Sequence, residues 1–318
     1  MMSQDSNLDG PTTPPWRTLT DAERYSIIEH ILIMHKGFTS LLAELDYCNL
    51  YTSNNSIHNP PCLAILGETG AGKTTLVHEW LARNNTTRTE TPEGSRIPYL
   101  YVSVPAKASI KGTAAAFLTT LGDPNPGRGT QWNMVTRLHT LLKNCQVRMI
   151  FVDEFQHILD HDTQHVLNAV TDFLKDIINQ TSIPMILIGQ KGEAEPILRT
   201  NPQLSRRVGT PRYMQPFPWD RTNPKTMTEF RTLMESIDLE LPLDPSGLGK
   251  EEMAHRFHYA TDGYLGWIMK LIRHGVHLAI VEQCSTLNRV LLQHAYDACI
   301  AGTVMAEHKI NPFSLKHF

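Results

Sequence analysis

Residues 67–75 read Gly67, Glu68, Thr69, Gly70, Ala71, Gly72, Lys73, Thr74 and Thr75. The spacing Gly67-x4-Gly72-Lys73-Thr74 suits a phosphate chain: the glycines let backbone amides curl round an anion, and the N-terminus of a following helix adds its positive end. Lys73 reaches the outer phosphates and the Thr74 hydroxyl takes a magnesium position. A buried-type strand, CLAILG, runs into this loop and a helical stretch, TLVHEWLARN, leaves it, the setting in which a Walker A loop works.

A second candidate half-site is RMIFVDEFQ. Asp153, at the end of an apolar run, fits a magnesium-supporting carboxylate, and Glu154 beside it is placed to orient and deprotonate an attacking water. A metabolite kinase brings its own acceptor and needs no such carboxylate, so the pair favours hydrolysis. Downstream, IPMILIGQ ends in Gln190, a polar side chain able to reach between a γ-phosphate and the water, the position called sensor 1 in ring-forming ATPases. In NPQLSRRVGTPRYMQPF, Arg206 and Arg207 close a short helix ahead of a strand, from where an arginine can reach a neighbouring subunit's nucleotide. A plain solvated arginine pair is the alternative.

The elements that must hold these residues follow from hydrophobic periodicity. CLAILG, PYLYVSV, MIFVD and MILIG are continuous apolar runs separated by helical stretches, the pattern of an α/β fold with a parallel sheet flanked by helices. Ahead of them, Ile27, Ile28, Ile31, Met34, Phe38 and Leu41 fall near helical spacing after a capping-type Thr-Asp, predicting one or two amphipathic helices. Beyond about residue 218 the pattern is helical, over 224–237, 250–261, 264–282 and 286–301, predicting a small all-α lid. The expected organisation is a disordered tail over 1–18, a helical leader with an α/β nucleotide domain over 19–218, a lid over 219–303 and a C-terminal tail over 304–318.

A formal net charge of −3 over 318 residues excludes a globally basic nucleic-acid binder, so any such contact needs a local patch of Lys and Arg. Cys48, Cys62, Cys145, Cys284 and Cys299 form no CxxC pair and their number is odd, which suits reduced, structural thiols. The polar, Pro-rich start is no signal peptide and no apolar run reaches membrane-span length, so a cytoplasmic protein with no membrane partner is expected.

The series GETGAGKTT, MIFVDE, ILIGQ and QLSRR, followed by a helical region with TDGYLG, resembles the AAA+ ATPases, and more closely the TniB/TnsC transposition regulators. The resemblance covers roughly residues 20–315, and its narrower marks are the helical leader, IDLELP (Ile237 to Pro242), TDGYLG (Thr261 to Gly266) and NPF (Asn311 to Phe313). It implies an ATP- and magnesium-dependent protein that oligomerises as a ring or helical filament on double-stranded DNA. It further implies a link between a TniQ-like targeting protein and a DDE transposase, with hydrolysis letting the assembly come apart. One position departs from the wider AAA+ pattern: where a sensor-2 arginine often follows the GYLG turn, this chain has Trp267, with Lys270 and Arg273 one and two turns on.

In similar proteins the loops flanking the helix after the second strand face the DNA, which singles out Lys107, Lys111, Arg128 and Thr130 for sequence-tolerant phosphate contacts. Ordinary solvated side chains explain any one of them equally well. FQHILDHDTQHV places His157, His161 and His165 at helical spacing with Asp160 and Asp162 beside them, but nothing fixes a closed tetrahedral set, so no metal site is expected there. Trp80, Trp219 and Trp267 read as core or interface fillers. The competing functions are a Cdc6/Orc-like loader, which would carry a winged helix after its lid, a P-loop signalling switch, and a small-molecule kinase.

Overall fold

The computed structural model describes residues 15–51, 60–84, 88–92, 94–106, 109–158 and 164–318. The chain divides into two compact units, one formed by 35–215 and the other by the residues up to Met34 together with Pro216–Phe318.

The first unit is built on a five-stranded parallel sheet. β1 (Leu63–Leu66), β4 (Tyr99–Ser103), β5 (Met149–Asp153), β6 (Met185–Gly189) and β7 (Arg212–Tyr213) stand in the order β4-β5-β6-β1-β7. Every residue of β1, β5 and β6 is buried, as expected of strands covered on both faces, which explains their unbroken apolar runs. Around the sheet lie α2 (Lys36–Tyr51), α3 (Lys73–Arg83), α4 (Ile110–Thr120), α5 (Gln131–Asn144), α6 (Gln164–Thr181), α7 (Lys191–Thr200) and α8 (Pro202–Val208). Ser109 and Thr130 start α4 and α5 by accepting from the amides of Gly112 and Asn133. Trp80 on α3 is 1% exposed, donates to Asp46 of α2 at 2.7 Å and packs edge-on to Tyr99, so it is a core residue as expected. A small antiparallel hairpin, β2 (Thr89–Thr91) with β3 (Gly94–Arg96), was not anticipated: its residues are mostly exposed and carry no apolar alternation.

Chain order and spatial order differ in a way that creates the site. From β1 the chain crosses to β4 at the far edge, returns through β5 and β6, then jumps over β1 to β7. The carboxyl ends of β5, β6 and β1 therefore lie side by side at a switch point, where open α/β sheets bind their ligands.

The second unit has its own helical core. It contains α9 (Pro224–Glu240), α10 (Glu251–Thr261), α11 (Leu265–Val281) and α12 (Arg289–Cys299), and also α1 (Asp21–His30), opened by the capping box of Thr20 and Glu23. The sequence joined the whole leader to the nucleotide domain over 19–218; instead α1 buries Ile28 among Phe230, Leu271 and their neighbours, and Arg273 pairs with Glu29 at 3.4 Å. Two further boundaries move. The expected disordered stretch over 1–18 contains a short 3-10 turn at Pro15–Thr18, where Trp16 donates to Asp244 at 3.0 Å and Arg17 pairs with the same carboxylate; residues 1–14 lie outside the described residues. The expected C-terminal tail packs: Phe313 is fully buried, and Arg289 donates to the carbonyls of Phe313 and Leu315 at 3.0 and 2.7 Å.

The sequence marks of this unit are structural. Gly263 in TDGYLG has φ +74, and a Cβ there would lie 2.0 Å from the Phe217 carbonyl oxygen. Asn311 of NPF accepts from the Phe313 amide and donates to Gln293 and Asp297. Asp238 of IDLELP, 6% exposed, accepts from the amides of Ser246, Gly247 and Leu248 at 3.0, 2.7 and 3.1 Å. Among the described residues no helix is long and apolar enough to cross a membrane.

Replacing Asp238 by Ala leaves those three amides without their acceptor, a loss of about 2–3 kcal/mol for a buried charge-assisted set. Denaturant unfolding should show the midpoint falling for Asp238→Ala and about half as far for Asp238→Asn; an unmoved midpoint in both contradicts this role.

Candidate active site

β1 ends at Gly67, which is buried and donates its amide to the Gly189 carbonyl of β6 at 3.2 Å. A Cβ on Gly67 would come within 2.9 Å of the Met214 carbonyl oxygen and 3.1 Å of the Ala71 Cβ, so this position takes only glycine. Gly70 and Gly72 have φ of +80 and +94, the left-handed region that favours glycine. Gly72 is the N-cap of α3 and supplies no side-chain cap, which leaves the first-turn amides of that helix aimed outward at the loop. Thr74 and Thr75 are exposed at this end, and Glu68 and Thr69 lie in the turn between the glycines.

Lys73 folds back into the loop, donating to the carbonyls of Gly67 at 2.7 Å and Glu68 at 3.1 Å. Burial lowers its pKa from the ordinary lysine value, while the nearby charges of Glu154, Asp153 and Glu68 oppose that shift. The ammonium thus stands where phosphate oxygens can replace two carbonyls as its acceptors. The glycine-rich loop, the open helix end and this lysine fit a nucleoside triphosphate.

Asp153 ends β5 and is 4% exposed. One of its oxygens accepts from the Tyr101 hydroxyl on β4 and the other from the Glu154 amide at 2.8 Å, so the carboxylate is held in a fixed orientation. Burial first, then the bond to Asp153 and the charges of Asp153 and Glu154, push the Tyr101 phenol well above its ordinary value and keep it a donor. With the Thr74 hydroxyl, Asp153 offers the hard oxygen donors that magnesium takes.

Glu154 adopts φ +53, a costly conformation for a non-glycine residue, which turns the chain off the strand immediately after Asp153. Its side chain is 46% exposed; Oε2 accepts from Gln156 Nε2 and lies 4.0 Å from His157 Nε2. Gln156 is itself buried, and its Oε1 accepts from the Gln190 amide at 3.0 Å. Gln190 begins α7 at the end of β6, with its Nε2 3.5 Å from Glu68 Oε2. The fold therefore gathers Glu68, Lys73, Asp153, Glu154 and Gln190 at the carboxyl ends of the central strands. Tyr101 and Gln156 join them unannounced by sequence: Tyr101 sits in an apolar run and Gln156 in a turn, and neither forms a motif.

The two arginines of α8 differ. Arg207 donates to Asn179 of α6 at 2.5 Å, whereas Arg206 is exposed and has no partner among the described residues. Of the DNA candidates, Lys107 lies outside the described residues. Lys111 is exposed in the first turn of α4, not in the expected loop, because Ser109 caps the helix ahead of it. Arg128 is exposed on a loop held by Arg137, which donates to the Arg128 and Asn125 carbonyls at 2.9 and 3.0 Å and pairs with Asp123 at 2.9 Å. Thr130 caps α5 and sits beside Trp132, which is 78% exposed.

His157 donates through Nδ1–H to the Val104 carbonyl at 3.0 Å, while Asp160, His161 and Asp162 lie outside the described residues. Burial pushes the Cys48 and Cys62 thiols up to about 12 and about 11, which leaves them protonated.

The family model described as bacterial TniB protein matches residues 25–216. Among solved structures, the Cdc6p of Pyrobaculum aerophilum is similar with a TM-score of 0.63 at 13% identity, over 89% of this chain and 72% of that one. The ORC1 protein of Aeropyrum pernix in complex with DNA gives 0.60 at 16% identity over 86% and 69%, and the ORC2 protein of the same organism, in ADPNP–ADP complexes, gives 0.59 at 16% over 87% and 72%. At these identities the likeness shows the fold, that of the AAA+ ATPases. No curated protein sequence matches the chain.

The close approach at Gly67 generates a direct test. Gly67→Ala forces the loop off the β6 and β7 ends, an overpacking cost of about 1–3 kcal/mol that weakens nucleotide binding by roughly tenfold or more. Titration with a fluorescent ATP analogue should show this with the protein still folded and its melting point lowered by a few degrees; parent affinity and an unmoved melting point contradict the geometry.

Proposed function

The chain belongs to the bacterial TniB family, and from that premise we propose that it is a magnesium-dependent ATPase that assembles on duplex DNA as a regulator of transposition. In this reading it couples a TniQ-like targeting protein to a DDE transposase, and hydrolysis of ATP drives disassembly. The observation that carries the hydrolytic part is the placement of Glu154, half exposed, beside a fully held Asp153 at the same end of the sheet as Lys73 and Gln190.

Each residue has a distinct task. Lys73 exchanges its two loop carbonyls for phosphate oxygens, and the open amides of α3 bind the same anion. Thr74 and Asp153 would hold magnesium, which when bound would neutralise charge on the phosphates. Glu154 accepts the proton of an attacking water, and Gln190 orients that water from the β6 side. Arg206, exposed and without a partner among the described residues, reaches the nucleotide of a neighbour, so turnover depends on assembly. Lys111, Arg128 and Thr130 contact DNA phosphates without reading sequence, and Lys107 joins them.

The likeness to archaeal initiator proteins, one of them solved with DNA, supports a second reading as a Cdc6/Orc-like loader. Both readings share nucleotide-dependent assembly on DNA; the family match favours the transposition regulator.

Glu154→Gln should bind ATP, hydrolyse it about 100-fold or more slowly and stay assembled on DNA, since a positioned general base contributes on that scale. Lys73→Ala should lose nucleotide-dependent assembly. A parent rate in Glu154→Gln, measured by phosphate release, would remove the carboxylate from the reaction. Mixing Arg206→Ala with Glu154→Gln subunits should restore part of the turnover, because mixed interfaces pair an intact glutamate with an intact arginine. No recovery at any ratio, with mixed assembly confirmed by size, contradicts the trans role.

A further inference from the structure

Gln156 spans the space between two of the site's strands with a single side chain. Its amide nitrogen donates to Glu154 Oε2, and its amide oxygen accepts the Gln190 backbone N–H at 3.0 Å. The side chain is 6% exposed, so neither bond is shared freely with bulk water. It is also closely confined: a Cβ on Gly189 would lie 2.9 Å from Gln156 Oε1, so β6 needs glycine at its last position to admit this amide. From there the connection continues, because Gln190 Nε2 is 3.5 Å from Glu68 in the phosphate loop.

The chemistry of the amide makes the arrangement specific. One end is a donor and the other an acceptor, and they match a carboxylate on one side and a backbone N–H on the other. Glu154 needs such support. Its side chain is half exposed, and its left-handed backbone alone does not select a rotamer. A hydrogen bond to a charged group in a confined setting is among the stronger ones a side chain makes.

We propose that Gln156 is a positioning residue that fixes the Glu154 carboxylate relative to the end of β6, so that a shift of Gln190 on engaging nucleotide is carried directly to the water-activating group. The proposal rests on Glu154 acting in hydrolysis as set out above. Gln156 touches neither substrate nor metal in this role; it acts through Glu154.

The test uses the full-length chain with ATP, magnesium and duplex DNA. Gln156→Met removes both bonds at nearly constant shape; Gln156→Glu keeps an acceptor for the Gln190 amide but cannot donate to Glu154 and repels it. Both should lower kcat about tenfold or more, with KM and ATP affinity within about twofold of the parent, since the binding loop is untouched. In a Glu154→Gln background, Gln156→Met should add less than about twofold, because its effect runs through a carboxylate already removed. A structural role would instead multiply the two losses, and that outcome overturns the proposal. So does a parent or faster kcat in Gln156→Met alongside a slow Glu154→Gln, which leaves the hydrolytic reading intact. A parent rate in Glu154→Gln itself sinks that reading and this inference with it. Should Gln156→Met fail to fold, the Gln156→Glu comparison carries the same test.

Discussion

Three strand ends meet at Gly67, and their backbones approach so closely that no side chain fits there. Its amide donates to the Gly189 carbonyl, and the Met214 carbonyl oxygen lies 2.9 Å from where its Cβ would be. Close-packed interiors transmit such a constraint to whatever is attached. Because β1 is clamped between β6 and β7, the loop beyond it leaves the sheet in one direction, and the left-handed glycines at 70 and 72 then turn it into the start of α3. The position of Lys73 is a consequence of that path.

The same sheet order sets the rest of the site. Backbone ladders between β4, β5, β6 and β1 place Tyr101 beside Asp153 and Gln190 beside the phosphate loop. Side chains then link what the ladders have aligned: Tyr101 to Asp153, Gln156 to Glu154 and to the Gln190 amide, Gln190 to Glu68. Buried polar groups with satisfied partners resist rearrangement more than their individual bonds suggest. The site is accordingly a set of acids and amides whose mutual spacing is set by the sheet and by one another, with the Glu154 side chain half exposed.

The apolar strands, the glycine loop and the Asp-Glu pair were legible in the sequence because each is a local pattern. Continuous burial writes itself as LAIL, MIFVD and MILIG, and the loop must carry its glycines in fixed order. What depends on spatial neighbours was not legible. Tyr101 becomes a site residue only once β4 pairs with β5, and Gln156 only once β6 lies beside them. The Arg137 contacts that shape the Arg128 loop join residues separated by 9 to 14 positions across a helix cap. α1 reads as a leader to the sheet, yet its Ile28 belongs to the helical core; a helix's apolar stripe says that it packs, not against what. The closing segment reads as a tail, yet Phe313 is buried in the helical core, and Arg256 and Arg289 donate to the carbonyls of Pro312, Phe313 and Leu315.

In the proposed function, nucleotide held at the carboxyl ends of these strands organises a DNA-binding assembly. With a formal net charge of −3, the chain has no mean field to attract DNA, so in that proposal a few cations are aligned by assembly. The most direct measurement is affinity for duplex DNA across a salt series, with ATP, with ADP and without nucleotide, for the parent and for Lys111→Ala and Arg128→Ala. Tight, sequence-tolerant binding is expected with ATP and not with ADP or without nucleotide, and a log–log salt slope flattened by about one unit for each contact removed. Equal affinity in all three nucleotide states, with slopes unaltered by both substitutions, would contradict it.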